Sequence, residues 1–179
     1  MEVNPVQDFY AGATWQQLGA AIDHLDAVIT ACPDGLWPDR LWPEEPPYEN
    51  FSAAWYVTFH AIFWLDLHIY GGVEGFAPPP PFTLDELEPA GLLPDRQYSR
   101  AELRSYLADI RARAQKTVEG LTDEQAFREC PFIWGTPTYV ELLLYTMRHV
   151  QEHAAQLSLF LGQHSIRARG WVARPLAPR

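Results

Sequence analysis

Residues 136–162 read TPTYVELLLYTMRHVQEHAAQLSLFLG, and the periodicity of this stretch decides the fold. Leu143, Val150, Leu157 and Leu161 recur at intervals of seven and four, the seam of a helix packed on other helices. Thr136 followed by Pro137 reads as a cap with proline at the first helical position, and Gly162 as the stop, so a helix is expected over about 137–161. Beside the seam runs a second inward stripe of Leu142, Tyr145 and Phe160, and within it stand His149, His153 and Gln156.

Three further helices complete the pattern. Leu18, Ile22, Leu25, Val28 and Ile29 repeat at helical spacing after Thr14, a candidate cap, so the first helix is expected over 14–31. The second, over 51–70, has Asn50 or Ser52 as its cap and Gly71-Gly72 as its end. It is apolar nearly all round, which predicts burial on several sides or a second subunit against one face. The third runs over 99–119: Ser99 and Glu102 form a capping box, and Leu103, Leu107, Ile110, Ala114 and Val118 its buried stripe. Arg104, Arg111, Arg113 and Lys116 fall on its other faces, where a solvated surface is expected. A short turn over 122–128 carries a second box-like pair, Thr122 and Gln125.

Four helices without a strand pattern predict an all-α four-helix bundle with long proline-rich connections. Eleven of the 16 prolines fall in two of these, 32–50 and 71–98, and the second is long enough to act as a lid. Residues 163–179 hold four arginines and no acid, an irregular tail strapped over the bundle or a partner. At 179 residues the chain is expected to be one domain, 1–179, and 47% hydrophobic composition excludes disorder for its bulk.

Thirteen basic against 23 acidic residues give a net charge of −10, which repels nucleic acid. His60, Asp66 and His68 interrupt the most apolar stretch, so no membrane span is expected. Met1–Tyr10 lacks the basic and apolar regions of a signal peptide, and Cys32 and Cys130 form no C-x-x-C pair. A cytoplasmic protein with two packing thiols is expected.

His149 and His153, four residues apart, lie about 40° apart on one helix face, so both imidazoles can reach one divalent ion. His60 lies mid-way along the second helix among Ala53, Tyr56, Val57, Trp64 and Leu67, and is expected to face the interior; Asp66 points the other way. Three inward imidazoles are costly unless their nitrogens are satisfied, either by core hydrogen bonds or by a metal. Three neutral imidazoles suit Zn²⁺ or Ni²⁺ and leave positions open. The segment His149-Val150-Gln151-Glu152-His153 also matches the inverted zinc-peptidase signature. That chemistry takes a further acidic ligand downstream, no acid follows Glu152, and Glu152 is turned away from His153.

The sequence resembles the DinB/YfiT-like superfamily over about residues 14–162. The resemblance rests on His60 and on H-x-x-x-H-x-x-Q-L, here His149 to Leu157, with Ala155 where a glycine often stands. Thr136-Pro137-Thr138 is also of the family's kind. It implies a four-helix bundle, a metal site of His60, His149 and His153 holding zinc or nickel, and often a homodimer. Characterised relatives use low-molecular-weight thiols, as S-transferases or as a thiol-dependent maleylpyruvate isomerase, and many others have no known reaction. The expectation is a metal-dependent enzyme acting on a small molecule, with metal-dependent hydrolysis and a non-catalytic metal-stabilised binding or dimerisation module as alternatives. Gln156 is a candidate partner of a ligand or bound water. His68 is a candidate general base or packing residue, and Tyr56, Trp64 and Tyr145 are candidate pocket walls. His24 is expected to be a surface or packing residue.

Overall fold

The computed structural model describes residues 5–46 and 48–177; Pro47 of the first connection, Met1–Asn4 and the last two residues of the tail lie outside it. Helix α1 spans Pro5–Ala31, α2 Ala54–Tyr70, α3 Arg100–Glu119, α4 Asp123–Ala126 and α5 Tyr139–Gln163. Among the described residues there is no strand, only isolated bridges such as Arg40 with Ala53. The described residues form an all-α bundle of four long α-helices and one short one.

The expected stripes are the buried ones. Leu18, Ile22, Leu25, Val28 and Ile29 of α1, the five apolar residues of α3, and Leu143, Val150, Leu157 and Leu161 of α5 are at most 2% exposed. The boxes Ser99–Glu102 and Thr122–Gln125 both form, each satisfying two backbone N–H groups. Gly71 ends α2 at φ 89°, in the left-handed region where a side chain would be strained.

Three helix starts differ from expectation. Thr14 lies inside α1, which begins at Pro5. The residue at the cap of α2 is Ala53, reached through a 3₁₀ turn over Glu49–Ser52, so neither Asn50 nor Ser52 caps it. On α5 the cap is Thr138, which accepts from the Glu141 N–H; two threonines flank Pro137 and the second is used.

Helices α1 and α2 each pack on both α3 and α5. The arginines of α3 hold these contacts, Arg104 and Arg113 while still about half exposed and Arg111 largely covered. Arg104 pairs with Asp26 at 2.8 Å, Arg111 with Asp23 at 2.6 Å, and Arg113 with Asp66 at 2.7 Å. Asp66, 3% exposed, also accepts from the Tyr106 hydroxyl. A helical wheel of α3 alone cannot show these acids, because they come from α1 and α2. The apolar girth of α2 is likewise accounted for within one chain: all but three of its 17 residues are buried.

The tail crosses the bundle itself. Asp23 accepts from the Leu176 N–H at 2.6 Å, and Arg111 donates to the Leu176 carbonyl. A Cβ on Gly19 would lie 2.8 Å from Pro175, so the missing side chain lets the tail approach α1. Asp23 is 7% exposed and Arg111 19% at the side chain. Asp23→Ala strands that guanidinium and frees the tail, and is expected to cost about 2–4 kcal/mol by urea denaturation. A loss near zero would show the strap to be idle.

Candidate metal centre

His60 reaches across from α2 to His149 and His153 on α5. The Nε2 atoms of His60 and His149 are 3.2 Å apart, and those of His149 and His153 3.1 Å. The three residues form a group that can hold a metal ion. Zinc–imidazole bonds of 2.0–2.1 Å in tetrahedral geometry separate two ligand nitrogens by about 3.3 Å, which matches these two spacings.

Hydrogen bonds aim the lone pairs. The Nδ1 of His60 lies 2.7 Å from Glu86 Oε2 and that of His153 2.8 Å from Gln156 Oε1. A carboxylate and an amide oxygen only accept, so both Nδ1 atoms carry the proton and both Nε2 atoms present lone pairs. The lone pairs of His60 and His153 repel each other unless a cation, or the Nε2–H of His149, lies between them. The donor set therefore fits a divalent ion of borderline softness.

Glu86 is not among the residues that the sequence places at the site. It lies 26 positions after His60, on a 3₁₀ turn over Asp85–Leu87, and its side chain is 4% exposed. Phe82 holds this loop to the bundle, stacked on Tyr106 with ring centroids 4.4 Å apart, and Phe76 is buried against Phe63. The long connection is thus packed down as a wall of the site. Burial favours protonation of Glu86, but hydrogen bonds from His60, Tyr56 and Trp64 outweigh it and hold the carboxyl below its usual range. No spacing rule links a loop acid to a helix histidine, so the only sequence signal is the acid's presence in a long connection.

The other candidates separate. Gln156 holds a candidate ligand, as expected. Glu152 is exposed, which removes the peptidase arrangement. His24 is buried and accepts from Gln151, a packing contact between α1 and α5, and His164 bonds the Phe160 carbonyl at the end of α5. Tyr56 and Trp64 line a cleft of about 390 Å³ with Trp42, Phe51, His60, Glu86 and His153. Tyr145 instead lies against His68, away from that cleft. A larger cavity of about 480 Å³ between α1, α4 and α5 contains none of the histidines.

The sequence matches the DinB superfamily over residues 13–157. The chain belongs to the DinB superfamily. That match spans α1 to most of α5, and so takes in all three converging histidines of this DinB-superfamily chain. No match is found among curated proteins. Among the described residues no helix is long and apolar enough to cross a membrane.

Burial makes the metal-free site sensitive to acid. Desolvation, helped by neighbouring imidazoles, pushes His149 down to about 2 and His68 to about 4, and lowers His153. These rings stay neutral in the native state while the unfolded chain protonates them near 6.5. Their stabilising contribution is therefore full above about pH 6.5 and is lost as pH falls towards the folded-state values. The unfolding free energy of the metal-free protein, measured by urea denaturation, is expected to fall between pH 7 and pH 5, by up to about 1.4 kcal/mol per pH unit per ring, and the urea midpoint with it. An unchanged midpoint would contradict their burial.

Proposed function

We propose that His60, His149 and His153 bind one divalent metal, zinc or nickel, and that the chain is a metal-dependent enzyme acting on a small molecule, a thiol-dependent S-transferase or isomerase. The observation that carries this reading is the convergence of three Nε2 atoms, two with their tautomers set by Glu86 and Gln156. A bound ion supplies Lewis acidity, lowering the pKa of a thiol or a water so that the nucleophile forms near neutral pH.

The chain's own residues do the rest. Glu86 and Gln156 keep protons on the outer nitrogens of His60 and His153, which fixes both rings. The cleft leaves His60 32% exposed at the side chain, so a small molecule has a route to the histidines. Its aromatic walls favour an apolar or planar group over water. The protein supplies no thiol: Cys32 and Cys130 are free but buried, and burial pushes the Cys32 thiol up to about 11 and raises Cys130. The thiol therefore comes from a low-molecular-weight cofactor, as in a reduced cytoplasm.

Turnover of electrophiles by the zinc- or nickel-loaded protein, with and without such thiols, tests the reading. Turnover only with a thiol supports it. Thiol-independent ester hydrolysis would make the protein a hydrolase instead. If His149→Ala lowered only thermal stability and left the cellular activity intact, the site would be that of a metal-stabilised binding module.

Glu86→Gln keeps the shape of the side chain but removes the charge behind His60. Metal affinity is expected to fall about 10–100-fold in chelator competition. An unchanged affinity would show that Glu86 only packs. The same reading includes a homodimer. Exposed Tyr10, Phe127 and Leu144 offer an apolar surface for it, and a monomeric mass by light scattering rejects it.

A further inference from the structure

Two of the three histidines have a partner behind the ring, and the third has none. The Nδ1 of His149 is buried without a hydrogen-bond partner among the described residues. Both ring nitrogens of His68 are in the same condition, although that residue is only 1% exposed. Orphaned polar atoms inside a protein are rare and costly, and here three lie on two adjoining rings.

The rings of His68 and His149 are 6.2 Å apart between centroids, crossing at 75°. At that separation no nitrogen pair is within direct hydrogen-bond reach, and the gap is of the length that a bridge through one water molecule takes. Trp64, Phe132 and Tyr145 surround His68 with centroids 5.4–5.5 Å away, and Trp134 stacks over Phe132 and Tyr145 as a cover. An apolar side chain would fill such a compartment without the cost of desolvating two nitrogens. The edge-to-face contacts with Phe132 and Tyr145 accommodate the second ring nitrogen as an N–H against an aromatic face.

We propose that His68 is a positioning residue of the metal centre, taking the Nδ1–H of His149 through one buried water. It does for His149 what Glu86 does for His60 and Gln156 for His153. The water accepts from His149 and donates to His68, so each nitrogen that faces the gap is satisfied and the His149 ring cannot turn its Nε2 away from the other two. This inference rests on the metal-binding reading above.

The test uses the full chain, loaded with zinc and labelled with ¹⁵N-histidine. In the wild type the His149 Nδ1–H is expected as a slowly exchanging signal with a cross-peak to bound water. His68→Leu is expected to weaken zinc binding roughly tenfold or more in chelator competition and to abolish that cross-peak. His68→Gln, whose amide can meet the water, is expected to restore most of both. The inference is overturned by a wild-type His149 signal without a water cross-peak, or by zinc affinity in His68→Leu within twofold of wild type. Equal losses in the Leu and Gln variants would also overturn it, since packing alone would then explain His68. If His68→Leu does not fold, the wild-type spectrum and the Gln variant decide. A wild type that binds neither zinc nor nickel would refute the metal reading itself, and this inference with it.

Discussion

His149→Ala is expected to lower metal affinity roughly 10²–10³-fold, the largest binding effect of any single change in this protein. The Nε2 of His149 lies 3.2 and 3.1 Å from those of His60 and His153, so its removal takes away one of the three converging nitrogens. Competition against a chelator and elemental analysis after reconstitution measure the loss. Full stoichiometry with unchanged affinity would refute the assignment of this residue as a ligand. The metal-free variant carries a second signature of opposite sense. One fewer neutral buried imidazole must be protonated in acid, so its stability should fall less steeply between pH 7 and pH 5 than that of the wild type. A merely destabilised variant would lose stability at both pH values and keep the slope.

Phe59→Ala is expected to cost about 3–5 kcal/mol, the largest stability effect of a single substitution in the bundle. Phe59 has no exposed surface and touches the rings of Phe63 on its own helix and of Phe82 and Tyr98 from the long connection. At roughly 2–4 °C per kcal/mol for a chain of this size, the melting temperature should fall by about 10 °C. The loss has a functional side as well. Phe82 lies four residues before Glu86 on the same loop, so a cavity beneath it loosens the carboxylate behind His60. Metal affinity should weaken too, though by less than in Glu86→Gln. A melting temperature within about 2 °C of wild type would show that the core refills the space.

The candidate ligand histidines are legible in the sequence because a helix is a ruler. Spacing four places His149 and His153 on one face, and inward stripes on two helices bring His60 into the same interior. Helix starts with capping boxes are legible for the same reason, since the boxes at Ser99 and Thr122 are local. Starts that depend on context are not. Pro137 stands between two threonines, and Thr14 lies inside a helix that continues to Pro5. The ion pairs of the α3 arginines are not legible because their partners, Asp23, Asp26 and Asp66, belong to other helices.

Periodicity within each helix thus determined by itself the all-α class, the buried stripes and the three histidines that converge. It could do so because helical geometry repeats every few residues and burial follows that repeat. The tertiary structure alone decided that Glu86, from a loop, stands behind His60. It also decided that the apolar girth of α2 is covered by its own chain and that the tail crosses α1. These are contacts between segments far apart in sequence, whose partners are chosen by how the helices pack, and no local pattern encodes them.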